Sequence, residues 1–214
     1  MSPARALADI VSPAHTVLIL QECQKGVIGE TSNLPELAEA ARAEMIPNLT
    51  RLADAARAAG VRVVHATAAH PEDMWGANTN ARVFLGVRRS PVKLLHGSVA
   101  AEPIDEVGPE PGDIVLARQH GLSPFEGTEL DSLLRNERIR TVVLVGVSLN
   151  VAILNVTFDA VNRSYEVVIP RDAVVATPAE YGEQVFRHTL GYVATLTTTD
   201  DVLAAWQPTD EERE

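Results

Sequence analysis

Short runs of apolar residues recur along the chain and are separated by longer stretches of mixed polarity. The runs are rich in Val, Ile and Leu, which is typical of strands that are buried on both faces of a sheet. They predict five strands, at residues 15–21, 61–67, 114–117, 140–145 and 166–170, and a last short strand at 196–198.

The stretches between these runs favour helices. Residues 35–59 are rich in Ala, Glu, Leu and Arg, and Pro47 suits the first turn of a second helix that ends before Gly60. Residues 71–112 show no clear periodicity and predict a long loop with short helical pieces. Further helices are predicted at residues 127–136, with Thr128 as N-cap, and at 151–163, 178–195 and 200–206.

The alternation of strands with helices indicates the fold class. It predicts an α/β domain built as a three-layer Rossmann-like sandwich, in which helices cover both faces of a mostly parallel sheet. We expect this domain to span residues 15–206, after a flexible N-terminal arm at 1–14 and before an acidic tail at 207–214.

Composition narrows the function classes. The 214 residues carry a formal net charge of −11, which disfavours unspecific binding to nucleic acid or to a membrane surface. Cys23 is the only cysteine, so an intramolecular disulfide and a multi-cysteine metal site are excluded. No apolar run approaches the roughly 18 residues of a membrane span, and the first residues lack a signal-peptide core. We therefore expect a cytoplasmic protein with no nucleic-acid or membrane partner, and the net charge leaves a small anionic substrate open.

Candidate chemistry gathers where the predicted strands end. Glu22 directly follows the first strand, Arg118 and His120 follow the third, and Gly146 comes after the fourth, shortly before a predicted helix. In an open parallel sheet, ligands bind outside the carboxyl ends of the strands and close to helix N-termini. These residues are thus candidates to line one crevice.

Four segments, in chain order, resemble the isochorismatase-like (cysteine hydrolase) family. They are Leu20-Gln-Glu-Cys-Gln24, Ser123-Pro-Phe125 followed by Gly127-Thr-Glu-Leu-Asp131, the turn after Gly146-Val147, and Tyr165-Glu-Val-Val-Ile-Pro-Arg-Asp-Ala173. The resemblance covers roughly residues 15–206. It implies the isochorismatase-like hydrolase fold, a cis peptide bond between Val147 and Ser148, and a homo-oligomer.

The departures from the family pattern bear on function. Cysteine hydrolases of this family use an Asp, a Lys and a Cys. The Asp position matches Glu22 and the Cys position matches Ala152, so the chain is identified as a divergent member without the nucleophile. The Lys position falls on Arg118 when counted from Asp113 and on Gln119 when counted back from Phe125.

The resemblance also implies which residues surround the substrate. Backbone N–H groups of residues 149–152 would form an anion or oxyanion pocket, and Ser148 would be structural. Cys23 should turn away from Glu22, since side chains alternate along a strand. The expected substrate-binding residues are Gln24, Gln119, His120, Phe125, Ser148, Leu149, Asn150 and Val151.

A metal site is not expected. Nicotinamidases of the family hold zinc with an Asp-x-His motif and a second His. His70 fits one ligand, but Ala68 stands at the Asp position and no His follows until His96. We therefore expect neither metal nor cofactor, with His65 packed under the sheet and His70 facing the crevice.

Two functions from different classes fit this pattern. Members named isochorismatase lack the Cys and cleave a vinyl ether, with the family carboxylate as general acid. By resemblance, Glu22 would donate the proton and Arg118 would anchor a carboxylated substrate. The alternative is a catalytically inactive relative that binds a small metabolite or a protein partner, which the joint change at Glu22, Arg118 and Ala152 would favour.

Overall fold

The computed structural model describes residues 5–32 and 34–207. Its sheet has seven strands, and every pairing is parallel, as the sequence predicts. The order across the sheet is β3-β2-β1-β4-β5-β7, with β6 paired to the end of β4. The strands are β1 (Thr16–Gln21), β2 (Arg62–Ala68), β3 (Ile114–Arg118), β4 (Thr141–Val147), β5 (Glu166–Pro170), β6 (Val174–Val175) and β7 (Thr195–Thr197).

The helices are short. A π-helical turn at Ala41–Met45 joins α3 to α4, and a second one at Leu149–Ile153 precedes α7. No helix in the described part of the chain is both long and apolar enough to cross a bilayer. The α-helices are α1 (Leu7–Ile10), α2 (Lys25–Ile28), α3 (Pro35–Ala40), α4 (Ile46–Ala58), α5 (Arg82–Arg89), α6 (Leu130–Asn136), α7 (Leu154–Asn162), α8 (Ala179–His188) and α9 (Thr199–Trp206).

Alternate residues of the central strands supply two cores, one on each face of the sheet. In β1, Leu18 belongs to the core that includes residues of α4 and α9, whereas Ile19 belongs to the core that includes residues of α6, α7 and α8. All six residues of β1 and all seven of β4 are buried. Near-continuous apolar strands are what a sheet covered on both faces requires. The three-layer architecture predicted from the sequence is therefore confirmed.

Three expectations about element boundaries need correction. The helix expected at 178–195 ends at His188, because Thr189 leaves the helical region at φ −133° and ψ −67°. The helix expected from 127 begins at Leu130, and Thr128 accepts a hydrogen bond from the Leu130 N–H instead of serving as its N-cap. The helix expected from 151 begins at Leu154, after the π turn.

The described residues before β1 pack against the rest of the domain, unlike the flexible arm that the sequence predicts. From residue 5 onward it forms α1, and Val11 is fully buried. The Trp206 indole N–H donates to the Val11 carbonyl at 2.8 Å. The described part of the expected arm is therefore packed against α9. Residues 1–4, and residues 208–214 of the expected acidic tail, lie outside the described residues.

Candidate functional site

A cavity of about 440 Å³ opens at the carboxyl ends of β1 to β4. Because β3, β2, β1 and β4 are parallel neighbours in the sheet, residues far apart in sequence meet along this one edge. Glu22 follows β1, Arg118 ends β3 and Ser148 follows β4, and all three line the cavity. The crevice predicted from the sequence is therefore present in the fold.

Glu22 and Arg118 form an ion pair in the cavity wall. The Arg118 Nη2 donates to Glu22 Oε1, and the two side chains are 5% and 18% exposed. Arg118 Nε also donates to the Gly121 carbonyl at 3.1 Å, and Nη1 donates to the Thr67 carbonyl at 3.5 Å. Each guanidinium nitrogen thus has a protein acceptor, and the charge of Arg118 is balanced by Glu22. The expected role of Arg118 as an anchor for a substrate anion consequently fits this geometry less well than a role in orienting Glu22.

Arg118 and Gln119, the two candidates for the family Lys position, have different environments. Arg118 is buried beside Glu22. Gln119 is turned away, and its Nε2 donates to the Trp75 carbonyl at 2.8 Å. Only Arg118 of the two lines the cavity.

Ala152 lines the same cavity as Glu22 and is 2% exposed. It lies in the π turn after β4, and the preceding Val147–Ser148 peptide bond is cis, as the resemblance implied. The N–H groups of Val151 and Ile153 both donate to the Ser148 carbonyl, at 3.2 and 3.1 Å. The Val151 amide is therefore already engaged, and the expected anion pocket would depend on residues 149, 150 and 152.

Three of the eight expected substrate-binding residues line the cavity, namely His120, Ser148 and Val151. His120 is exposed at the mouth, and Val151 is 38% exposed. These three residues come from the loop after β3 and from the turn after β4, where the parallel-sheet rule places ligand contacts.

Five of the expected substrate-binding residues do not line the cavity. Gln24 is fully buried and ties neighbouring segments together, because its side chain bonds to the Ala68 N–H and to the Ala68 and Ala101 carbonyls. Phe125 stacks on Tyr165 with ring centroids 5.7 Å apart. The other three residues outside the lining are Leu149, which is core, Asn150 and Gln119.

Cys23 is buried beside the sheet and does not line the cavity. Its Sγ donates to the Gln21 carbonyl at 3.6 Å, and burial together with the Glu22 charge raises the pKa of the thiol. The neighbouring Gly146 has φ +107°, and a β-carbon there would lie 2.3 Å from the Gln21 oxygen and 3.0 Å from Cys23 Sγ. Cys23 is thus tightly packed against the ends of β1 and β4, as a small apolar residue would be.

The two histidines lie where the sequence expected them. His65 is buried under the sheet, with Nε2 3.1 Å from Asp113 Oδ2, and burial lowers its pKa. His70 lines the cavity, and burial lowers its pKa too. Within residues 5–32 and 34–207, no three His, Cys, Asp or Glu side chains are grouped closely enough to hold a metal ion.

The apolar wall of the cavity was not among the features predicted from the sequence. Helix α5 contributes Val83, Phe84 and Val87 to the lining, and Leu34 and Leu37 are among the other apolar lining residues. The sequence does contain a pattern that indicates this wall. Val87 follows Val83 by four residues and Phe84 by three, which is the spacing of one helix face, within a segment that otherwise lacks periodicity.

Comparison with known proteins identifies the family. The isochorismatase-domain profile matches residues 16–201. Ureidoacrylate amidohydrolase RutB of Methylorubrum extorquens is 32% identical over 186 residues, which cover 80% of this chain and 74% of that protein. The chain therefore belongs to the isochorismatase family, whose members are hydrolases.

Solved structures agree with this assignment. A cysteine hydrolase from Pseudomonas syringae superimposes with a TM-score of 0.82 at 24% identity, over 96% of this chain and 98% of that one. N-carbamoylsarcosine amidase from Thermoplasma acidophilum superimposes with a TM-score of 0.69 at 26% identity, over 87% and 97% of the two chains. The fold is that of the isochorismatase-like hydrolases.

Proposed function

We propose that this protein is a hydrolase that acts on a small carboxylated substrate without a cysteine nucleophile, and that Glu22 transfers the proton. The observation that supports this proposal is that the Glu22–Arg118 ion pair and Ala152 line the same cavity. Ala152 stands where the family resemblance places the nucleophile. The names of two relatives, an amidohydrolase and an amidase, support hydrolysis of small compounds as the reaction class.

Water is the nucleophile in this proposal. The Ala152 side chain has no reactive atom, and the Cys23 thiol is buried outside the cavity with a raised pKa. A thiolate is needed for the covalent route, so an acyl-enzyme on Cys23 is not expected.

Glu22 acts as general acid in a vinyl-ether hydrolysis. Its carboxyl proton goes to the terminal vinyl carbon, which leaves an oxocarbenium ion, and water adds to the cationic carbon. The proton that the added water releases returns to the Glu22 carboxylate, and the resulting hemiketal breaks its C–O bond as its hydroxyl proton passes to the leaving oxygen, which gives an alcohol and a ketone. Arg118 stabilises the Glu22 carboxylate that remains after the proton has left, because its Nη2 already contacts that group. Proton transfer by a positioned carboxyl group accelerates a reaction by about 10²- to 10⁴-fold.

The direct test compares wild type with Glu22→Gln and Glu110→Gln. Glu110 is an exposed carboxylate outside the cavity, so its replacement controls for the loss of one charge. Pyruvate release from isochorismate and ammonia release from ureidoacrylate and N-carbamoylsarcosine are measured in parallel. We expect turnover in at least one assay, an approximately 100-fold or larger loss in Glu22→Gln, and no change in Glu110→Gln. Turnover that is equal in all three proteins would contradict the role of Glu22.

A second candidate is a binding protein without catalytic activity. The same ion pair favours it, since Glu22 and Arg118 satisfy each other within the protein and Ala152 adds no reactive group. No turnover in any assay, combined with a metabolite that co-purifies with the protein and is seen by mass spectrometry, would support this candidate over the hydrolase.

A further inference from the structure

One face of α5 forms the cavity wall. Val83, Phe84, Val87 and Arg88 all line the cavity, and their spacing of three and four residues places them on one side of the helix. Leu85, which is 37% exposed, does not line the cavity, whereas Val83 lines it although it is 45% exposed. This face therefore combines three apolar side chains with one guanidinium.

Arg88 lacks the charge partner that Arg118 has. Its Nη1 donates to the Met74 carbonyl at 3.1 Å, which is a neutral acceptor. Among residues 5–32 and 34–207, no carboxylate lies within ion-pair distance of Arg88. Other described arginines, among them Arg42, Arg82 and Arg89, also form no ion pair, but Arg88 lines the cavity and they do not.

The polar groups of the cavity do not offset this charge. Glu22 is matched by Arg118. His70 contributes no negative charge, and burial lowers its pKa, an effect to which the positive charges of Arg118 and Arg88 add. Arg88 therefore leaves the lining with an excess of one positive charge, in a partly enclosed space where electrostatic interactions are stronger than in water.

We propose that the cavity selects a small organic acid whose carboxylate pairs with Arg88 and whose apolar body packs against Val83, Phe84 and Val87. A volume of about 440 Å³ lies in the range of pockets that enclose small organic ligands. The lining offers a planar group of donors that suits a carboxylate, and apolar side chains that suit an alkyl or aromatic body. The proposal refers to the cavity of the proposed hydrolase, but it concerns binding, and it holds whether or not Glu22 catalyses a reaction.

Binding of acetate, butyrate and hexanoate tests the apolar part by isothermal titration calorimetry. Burial of a methylene group contributes about 0.8 kcal/mol, so affinity should rise about fourfold for each added CH₂. Phe84→Ala should reduce this dependence on chain length. The matched control is Leu85→Ala, an adjacent apolar residue outside the lining, which should preserve the dependence. Equal affinities for the three acids would overturn the apolar part of the proposal.

Hexanoate and hexanamide test the role of Arg88, since they share the alkyl body and differ in charge. Wild type should bind hexanoate at least about tenfold more tightly, as expected for a hydrogen bond between charged groups. Arg88→Gln should remove this preference, and Arg88→Lys should keep most of it. Arg89→Gln, at an exposed site on the same helix, should leave it unchanged. A preference that survives Arg88→Gln, or its absence from wild type, would overturn the assignment.

The two proposals can fail separately. If Glu22→Gln leaves turnover unchanged while hexanoate binding still depends on Arg88, the catalytic proposal is wrong and the binding proposal stands. If turnover depends on Glu22 but hexanoate and hexanamide bind equally, the reverse holds.

Discussion

Arg118 and Glu22 are 96 residues apart in the sequence and in direct contact in the fold. Arg118 ends β3, an edge strand, whereas Glu22 follows β1, and β2 lies between these two strands. The contact therefore bridges across the end of a strand, which the long Arg side chain permits. Glu22 has φ +52°, so the chain leaves the extended conformation directly after β1. The reach of the Arg118 side chain and the turn of the backbone at Glu22 bring the guanidinium and the carboxylate together in the cavity wall.

Loss of the guanidinium should destabilise the fold. Arg118→Met leaves the partly buried Glu22 carboxylate without its partner, and we expect a loss of about 3 kcal/mol in the free energy of unfolding. Urea denaturation measures this change. Arg51→Met removes the exposed ion pair with Asp200, whose side chains are 49% and 78% exposed, and should cost less than about 1 kcal/mol. Equal effects of the two substitutions would mean that the Glu22–Arg118 pair contributes no more than a surface pair.

Cys23 should make stability depend on pH in the alkaline range. Burial raises the pKa of its thiol in the folded protein, whereas the unfolded value is about 8.5. Only the unfolded chain then releases this proton as the pH rises above about 8.5, so the folded state loses stability from that point upward. Urea midpoints at pH 7.5 and 9.5 measure the loss, and Cys23→Ala should reduce it. An identical alkaline loss in Cys23→Ala would assign the effect to other groups.

A thiol placed at position 152 should reach the cavity, unlike Cys23, although both residues are 2% exposed. Ala152 lines the cavity, so Ala152→Cys should react with iodoacetamide in the native state, whereas wild type should react only after unfolding. Mass spectrometry of the intact protein counts the modified thiols. Failure of Ala152→Cys to react would show that residue 152 does not face the cavity.

Combining Ala152→Cys with Glu22→Asp and Arg118→Lys restores the family's three residue types and should raise ammonia release from amides above that of wild type.

Gly86 offers a way to fill the cavity without disturbing the core. It lines the cavity in the middle of α5, and a β-carbon built there has no neighbouring atom within 4 Å. Gly86→Leu should therefore reduce hexanoate affinity by about tenfold or more. The same change should preserve or raise stability, because leucine is roughly 0.8 kcal/mol better than glycine inside a helix. Gly86→Ala should gain stability with little effect on binding. Unchanged affinity in Gly86→Leu would place the ligand elsewhere.

The sequence was informative wherever one local pattern decided the structure. The run at residues 166–170 predicts β5 with its observed bounds, because four of its five residues are apolar and buried, and a buried strand needs little more than continuous hydrophobicity. Glu22 and Ala152 could be placed at one crevice because parallel strands direct their carboxyl ends to the same edge.

Other features depend on contacts that no local pattern encodes. The choice between Arg118 and Gln119 follows from which side chain reaches Glu22 across β2, and this requires the sheet order. Gln24 was expected at the substrate, but it is drawn inward by the main chain of Ala68 and Ala101. Helix α5 has no buried residue, and its apolar stripe is too short to stand out within a segment predicted as a long loop with short helical pieces.

The most direct test of the proposed mechanism compares two adjacent side chains, using the first substrate that wild type hydrolyses. The measurement is kcat for Glu22→Gln and for Cys23→Ala. The mechanism predicts a loss of about 100-fold or more in Glu22→Gln and full activity in Cys23→Ala. A large loss in Cys23→Ala with little change in Glu22→Gln would contradict it, because hydrolysis would then depend on the thiol and not on the carboxylate.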